Sequence, residues 1–142
     1  MNRLVSQPEN RRVLIVDDDR EIIQALSIRL RFAGYDVMKA YDGEAGLDAA
    51  RELNPDVVIL DVRMPRMDGL TMLSKLRSSE HLSSLPAIVL SANVAERVRT
   101  EALELDACFF LSKPYEADVL LMAIRSALEQ GIEGAGPRPT IN

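Results

Sequence analysis

The chain has few of the residues that mark several common classes of protein. It contains no tryptophan, one histidine and a single cysteine, Cys108, among 142 residues. A lone cysteine excludes an internal disulfide and is typical of a reducing compartment. Apolar runs are short, and only four apolar residues follow the basic pair Arg11-Arg12, so neither a signal peptide nor a membrane span is expected. The sequence therefore predicts a cytoplasmic protein without membrane insertion.

Positive charge is also scarce. The chain has 17 Lys and Arg against 22 Asp and Glu, which gives a net charge of -5. Arg97 and Arg99 alternate with Glu96 and Glu101, a pattern typical of a solvated helix face. Binding to a phosphate backbone needs clustered Lys and Arg, so the composition argues against direct nucleic-acid binding.

The size of the chain sets its domain organisation. With 142 residues, 47% of them hydrophobic, there is material for one core and not for two. We expect a flexible leader over residues 1–10 and a single domain over residues 11–130. Residues 131–142, rich in Gly and Pro, are expected to form a tail or the start of a linker.

Short apolar segments alternate with segments of helical spacing. Strands are predicted over residues 13–16, 35–40, 57–60, 86–90 and 107–111, the second being the most exposed, with a helix after each, the fourth from 94 and the fifth over 116–130. Asp19 should cap the first helix, Gly34 should end it, and Asp42-Gly43 should open the second. This alternation predicts an α/β fold with a parallel sheet and right-handed crossovers, although periodicity does not choose the strand order.

Polar residues stand within two residues of the ends of four of the predicted strands. Asp17-Asp18 follow the first strand, Asp61 the third, Ser91 the fourth and Lys113 the fifth. In a doubly wound sheet of order 2-1-3-4-5, the first and third strands are neighbours at the switch point, where ligands bind. Under that order, these side chains would meet in one cleft.

Such a cleft has a definite chemistry. Carboxylates held close together raise one another's pKa unless a cation compensates them, and oxygen ligands completed by water and a phosphoryl oxygen suit Mg²⁺. Lys113 would balance a phosphoryl group, Ser91 would donate its hydroxyl to that group, and Asp61 would be free to attack phosphorus.

Each of these residues also has a simpler interpretation. Asp17-Asp18-Asp19 would serve as a turn and helix cap, Ser91 as the cap of the fourth helix, and Lys113 as a solvated loop residue. Their joint occurrence at the ends of four strands favours the functional interpretation.

The set of motifs resembles the receiver domains of two-component response regulators, over about residues 12–130. The resemblance rests on Asp17-Asp18, the block LDVRMPRMDG from Leu60 to Gly69, Ser91-Ala92 and Lys113-Pro114. It implies a flavodoxin-like (βα)5 domain with five parallel strands in the order 2-1-3-4-5. It also implies a bacterial signalling switch that is not an enzyme in the usual sense, since it catalyses only its own phosphorylation and dephosphorylation.

The resemblance assigns roles around the acids. Asp61 is the residue phosphorylated by a sensor histidine kinase or a histidine phosphotransfer protein. Asp17 and Asp18 position Mg²⁺, with Asp18, Asp61 and the backbone carbonyl of Arg63 as its direct ligands. The output would pass to a downstream protein target or to an effector domain outside this chain.

The resemblance also implies a conformational response. Ser91 and Lys113 contact the phosphoryl group, and the Lys113-Pro114 peptide is cis. Movement of the Ser91 hydroxyl would vacate space for the ring of Phe110, the family's switch aromatic, and remodel the surface of the fourth helix, fifth strand and fifth helix. Partners usually dock on that surface, and a homodimer through the fourth and fifth helices is possible. Because Phe110 lacks the hydroxyl of the tyrosine common in the family, its signal would travel by packing alone.

Several positions depart from the family pattern or vary within it. Asp106 stands where glycine is frequent, and Phe109 where a polar residue is common, so Phe109 is either an exposed docking contact or a change in local packing. Arg63 and Asn93 are expected to tune the lifetime of the phosphoryl group. His81, in a polar loop, is expected to be a surface residue.

Three other classes of protein share part of this pattern. A phosphatase of the haloacid-dehalogenase type needs a second acid two residues after its nucleophile, where this chain has Arg63. A nucleotide or flavin binder needs a glycine-rich turn after the first strand, where Asp17-Asp18-Asp19 would repel phosphate. A pseudo-receiver, which keeps the fold as a phosphorylation-independent interaction module, is the alternative that stays open.

Overall fold

The computed structural model describes residues 11–92 and 95–131. In this part of the chain, five strands alternate with five helices. They are β1 (Arg12–Val16), α1 (Arg20–Phe32), β2 (Asp36–Ala40), α2 (Gly43–Leu53), β3 (Val57–Asp61), α3 (Gly69–Arg77), β4 (Ala87–Ser91), α4 (Glu96–Glu104), β5 (Phe109–Ser112) and α5 (Ala117–Gly131). The expected leader over residues 1–10 and the tail beyond Gly131 lie outside the described residues.

The five strands form one parallel sheet in the order β2-β1-β3-β4-β5. This confirms the doubly wound fold that the resemblance implied. Strand β3 has a neighbour on each side and all five of its residues are buried, as the run of four apolar residues that precedes Asp61 predicts. Strand β2 lies at one edge and is more exposed, which confirms the prediction for that segment.

The two faces of the sheet bury two separate apolar clusters. Successive residues of β3 alternate between them: Val58 and Leu60 face α2, α3 and α4, whereas Val57 and Ile59 face α1 and α5. Each fully buried Val, Ile or Leu side chain stabilises the fold by about 1.5–3 kcal/mol. The central strands are therefore a rigid support for the residues that follow them.

Aspartates occupy the N-cap positions of three helices. Asp19 accepts hydrogen bonds from the backbone N–H groups of Glu21 and Ile22, which confirms the predicted cap of α1. Asp42 and Asp68 cap α2 and α3 in the same way, each through a hydrogen bond of 2.8 Å. These side chains satisfy backbone donors that the first turn of a helix leaves unpaired.

Helix ends match the predictions to within a residue or two. Gly34, predicted to end α1, follows its C-cap and adopts a φ of 103° that favours glycine. Helix α4 begins at Glu96 with Ala95 at its N-cap position, so the interpretation of Ser91 as the cap of α4 is wrong. Helix α5 begins and ends one residue later than predicted.

Strand β5 begins two residues later than predicted. The N–H of Ala107 bonds to Ala102 O at 3.1 Å and so belongs to the turn that closes α4. Pairing with β4 starts at Cys108, whose N–H bonds to Ala87 O at 2.7 Å. Asp106, where the family often has glycine, adopts a φ of 62° in this turn, so the backbone does take the left-handed conformation that glycine favours.

One arginine on α3 joins this turn to the loop before β4. The half-buried guanidinium of Arg77 donates to four backbone carbonyls, those of Leu105, Asp106, Ser83 and Leu85, at 2.7 to 3.2 Å. No motif in the sequence marks this contact, because its acceptors belong to two loops that only the folded sheet brings together.

We expect Arg77→Met to lower the free energy of unfolding by about 1–3 kcal/mol, the usual cost of leaving buried polar groups without partners. The matched control is Arg51→Met on α2, because Arg51 is exposed and its ion pair with Asp48 spans 3.7 Å. That change should stay within about 0.5 kcal/mol. Urea denaturation measures both, and equal effects of the two changes would contradict the role given to Arg77.

Candidate functional site

Three aspartates converge where β1 and β3 end. Asp61 is the last residue of β3 and Asp17 follows β1, and both side chains are buried, whereas Asp18 is exposed. One carboxylate oxygen from each lies within 4.8 Å of the others. The convergence follows from topology, because β1 and β3 are adjacent in the sheet.

Lys113 completes this acidic centre from the loop after β5. Its Nζ lies 3.1 Å from Asp17 Oδ2 and 3.2 Å from Asp61 Oδ1, and its side chain is only 18% exposed. Its backbone N–H donates to Ser91 O at 2.9 Å, and the Lys113-Pro114 peptide is cis, as the resemblance implied. The interpretation of Lys113 as a solvated loop residue is therefore wrong.

The electrostatics of the centre disfavour charge on Asp61. Burial, followed by the negative charge of Asp17, raises the pKa of Asp61, and the nearby ammonium of Lys113 only partly opposes this. Burial lowers the pKa of Lys113, but the carboxylates of Asp17 and Asp61 outweigh burial and raise it overall. One ammonium thus leaves the acids with excess negative charge.

The three consecutive aspartates after β1 have different surroundings. Asp17 bonds to Lys113 and also accepts a hydrogen bond from the Asp19 N–H at 3.0 Å. Asp19 points the other way and caps α1, so the cap interpretation holds for this residue. Asp18 lies at the open mouth of the centre, beside Arg63, Met64 and other residues of the loop between β3 and α3.

That loop, residues 62–68, is fixed at its base by close backbone contacts. The N–H of Gly69 donates to Val62 O at 2.8 Å, and Val62 N–H donates to Leu90 O at 3.2 Å. A Cβ on Gly69 would overlap the carbonyl oxygen of Asp61, so no other residue fits there without displacing the loop. Arg63 is exposed on this loop, two residues after Asp61.

The donor set suits a small hard cation. The partly buried site offers three carboxylate oxygens, and Mg²⁺ prefers oxygen ligands. Mg²⁺ commonly binds one or two carboxylates and completes its coordination with water. Ligands at about 2.1 Å from one ion lie at most about 4.2 Å apart. The spacing within 4.8 Å therefore fits Mg²⁺ after a small inward movement.

Ser91 lies on β4, the strand next to that of Asp61, and Phe110 lies on β5, one strand further along the sheet. Asp61 pairs with Leu90 in the register of β3 and β4, so the fully buried Ser91 comes one residue further at the same edge of the sheet. Phe110 is fully buried, and the guanidinium of Arg99 lies 5.1 Å from its ring centroid. Arg99 is half-buried, so the expectation that it belongs to a solvated face is wrong for this residue.

Phe109 is buried in the fold, whereas His81 lies on its surface. Phe109 is 1% exposed and packs in the cluster under α1 and α5, so it is a change in local packing and not an exposed docking contact. His81 is exposed and borders a groove with Pro55 and Pro86, before the starts of β3 and β4 and so at the opposite edge of the sheet, which confirms it as a surface residue. Asn93 lies outside the described residues.

Fold and site together define a class: a doubly wound α/β domain with an acidic, lysine-compensated centre at its switch point. The sequence profile described as the response regulator receiver domain matches residues 13–125. The chain belongs to this family, the receiver domains of two-component systems.

Curated proteins similar in sequence to this chain include named regulators. Response regulator MprA of a Mycobacterium species is 40% identical over 126 residues, which are 89% of this chain and 54% of that protein. The DNA-binding dual master transcriptional regulator RpaA of a Synechocystis species is 35% identical over 119 residues, or 84% and 49% of the two chains. The chain thus spans about half the length of these curated relatives.

Solved structures show the same fold. The receiver domain of the Francisella response regulator 1452 superposes with a TM-score of 0.79 at 30% identity, over 85% of this chain and 98% of that one. The chemotaxis protein CheY4 of Vibrio cholerae gives a TM-score of 0.79 at 32% identity, over 84% and 99%. Across residues 11–92 and 95–131, no helix has the length and apolar character needed to cross a bilayer.

We expect Asp61→Asn to raise the free energy of unfolding at pH 7 when divalent cations are absent. Because the pKa of Asp61 is higher in the folded than in the unfolded protein, the folded wild type loses stability as pH rises from the unfolded pKa through the folded one. The gain in the variant should therefore shrink as pH falls toward about 4, the pKa of a free carboxyl. Urea denaturation at a series of pH values measures it.

Asp68→Asn is the matched control, since Asp68 is exposed in the same loop and asparagine keeps its cap on α3. It should show no comparable pH-dependent gain. A less stable Asp61→Asn protein at pH 7 would contradict the electrostatic description of the centre.

Proposed function

We propose that this chain is a phosphorylation-dependent signalling switch whose phosphoacceptor is Asp61. The phosphodonor is the phosphohistidine of a sensor histidine kinase or of a histidine phosphotransfer protein, and Mg²⁺ is the cofactor. One observation carries the proposal: the buried carboxylate of Asp61 lies between a lysine 3.2 Å away and two further acids. Membership of the receiver family supports the same conclusion.

The side chains would divide the chemistry among them. A carboxylate oxygen of Asp61 attacks phosphorus in line, the new O–P bond forms as the N–P bond of the donor breaks, and the electron pair leaves with the imidazole. Lys113, already beside Asp61, donates to a phosphoryl oxygen, and the Ser91 hydroxyl donates to another. These donors stabilise charge that develops during transfer.

The cation would be held by Asp18, Asp61 and the backbone carbonyl of Arg63, with Asp17 positioning it. Bound Mg²⁺ would supply positive charge to the phosphoryl oxygens and so offset the repulsion among the acids. Water later hydrolyses the acyl phosphate, and Arg63 and Asn93 tune the rate of that step. The chain therefore promotes only its own phosphorylation and dephosphorylation.

The output would be read on the face formed by α4, β5 and α5. When the Ser91 hydroxyl turns to the phosphoryl group, the ring of Phe110 moves into the vacated space. Arg99 lies over that ring, so the movement would reach the protein surface. The reader is a downstream protein target, an effector domain outside this chain, or a second copy bound through α4 and α5. We place this switch in the cytoplasm.

Phosphorylation tests the proposal directly. Incubation with acetyl phosphate and Mg²⁺ should give a single phosphate adduct by intact mass, and chelation of the metal should abolish it. Asp61→Asn should give no adduct, whereas the control Asp68→Asn should react like wild type. Wild type that stays unmodified with Mg²⁺ saturating and the fold intact would sink the proposal and favour a pseudo-receiver.

The switch makes a separate prediction. Binding of beryllium trifluoride, a stable phosphoryl mimic, should change amide hydrogen exchange in α4 and β5 of the wild type. Ser91→Ala should still form the adduct but lose most of that change, because the hydroxyl that vacates space for Phe110 is missing. Ser74→Ala, at an exposed position on α3, serves as control. An undiminished response in Ser91→Ala would exclude Ser91 as the link.

A further inference from the structure

The loop that follows Asp61 rests on the start of α2. A Cβ placed on Gly43 would lie 2.9 Å from the carbonyl oxygen of Met67 and 3.0 Å from its Cγ and Sδ. Gly43 is buried, and its φ is not in the left-handed region. A glycine is therefore needed here for the close approach of the loop, and not for an unusual backbone conformation.

A second contact joins the same two elements. Arg66 NH2 lies 3.5 Å from Asp42 Oδ2, while the other carboxylate oxygen of Asp42 caps α2. Arg66 adopts a φ of 69°, so the loop bends sharply at the residue that reaches α2. The corner Asp42-Gly43 thus contacts residues 66 and 67 through both a side chain and the backbone.

These contacts complete the fixation of the loop. Its base is held by the bonds from Val62 to Leu90 and from Gly69 to Val62. Arg66 and Met67, near the end of the loop that precedes α3, are held by the Asp42-Gly43 corner. Arg63 lies between these two supports along the chain. The position of its backbone carbonyl therefore depends on both.

We propose that the Asp42-Gly43 corner, which supplies no ligand, positions the Mg²⁺ site, with Gly43 as the positioning residue. This inference rests on the proposed function, in which the backbone carbonyl of Arg63 binds the cation. A methyl group on Gly43 would lie 2.9 Å from the carbonyl oxygen of Met67, so Met67 must be displaced. Because this oxygen belongs to the backbone and is not the tip of a flexible side chain, its displacement shifts the loop itself. Mg²⁺ demands nearly ideal octahedral geometry, so a small shift of one ligand weakens its binding.

The test compares Mg²⁺ affinity by isothermal titration calorimetry in wild type, Gly43→Ala and Gly46→Ala. We expect Gly43→Ala to bind Mg²⁺ about tenfold more weakly, the lower end of the loss caused by removing outer support from a metal site. Gly46 is the matched control on the same helix, since the three atoms nearest to its added Cβ are side-chain methyls of Met72 and Val16 at 3.0 Å, none of which belongs to the loop. Gly46→Ala should bind Mg²⁺ as wild type does.

The possible results distinguish a failure of the proposed function from a failure of the positioning role of Gly43. A wild type that does not bind Mg²⁺ contradicts the proposed function itself. A wild type that binds Mg²⁺ while Gly43→Ala binds equally well overturns only the positioning role, and so does an equal loss in both glycine variants. If Gly43→Ala does not fold, as judged by circular dichroism, Met67→Ala probes the same support from the loop. Weaker Mg²⁺ binding is then expected, and unchanged binding overturns the inference.

Discussion

Repulsion between carboxylates is the constraint on which the site depends. Asp17, Asp18 and Asp61 bring oxygens within 4.8 Å of one another, and the ammonium of Lys113 compensates only part of their charge. A free chain would separate these groups, so the packed sheet must hold them together against their repulsion. This deficit of positive charge makes the centre suitable for a cation. In the proposed function, the bound cation in turn attracts the phosphoryl group.

The sheet can hold them because its central strands are buried on both faces. Strands β1 and β3 are adjacent, and their carboxyl ends open at the same edge. This much was predictable from the sequence, since short β-branched segments ended in acids and the intervening segments had helical spacing. The predicted strand order needed the family resemblance, because periodicity fixes which residues form strands but not which strands are neighbours.

The contacts that the sequence did not predict are those that helix residues make with other elements of the folded chain. Arg77 reaches four carbonyls in two loops, Gly43 touches Met67, and Arg99 covers Phe110. Each depends on how a helix is placed against a loop or a strand, which no periodic pattern encodes. The burial of Phe109 was not predictable for the same reason. Neighbouring residues of a strand face opposite sides of the sheet, and whether a face is covered depends on helices elsewhere in the chain, here α1 and α5.

In the proposed function, the change at the acidic centre reaches the face of α4, β5 and α5 through side-chain packing. Lys113 N–H bonds to Ser91 O, so the end of β4 is joined to the loop after β5, and these are the two residues that contact the phosphoryl group in the proposed function. Phe110, three residues before Lys113, is fully buried and has no hydroxyl. A tyrosine could keep a hydrogen bond in either position, whereas a phenylalanine ring responds only to the space around it. In the proposed switch, the two states must therefore differ in packing volume beside Ser91, and the side chain of Arg99 is the surface group that contacts the moving ring.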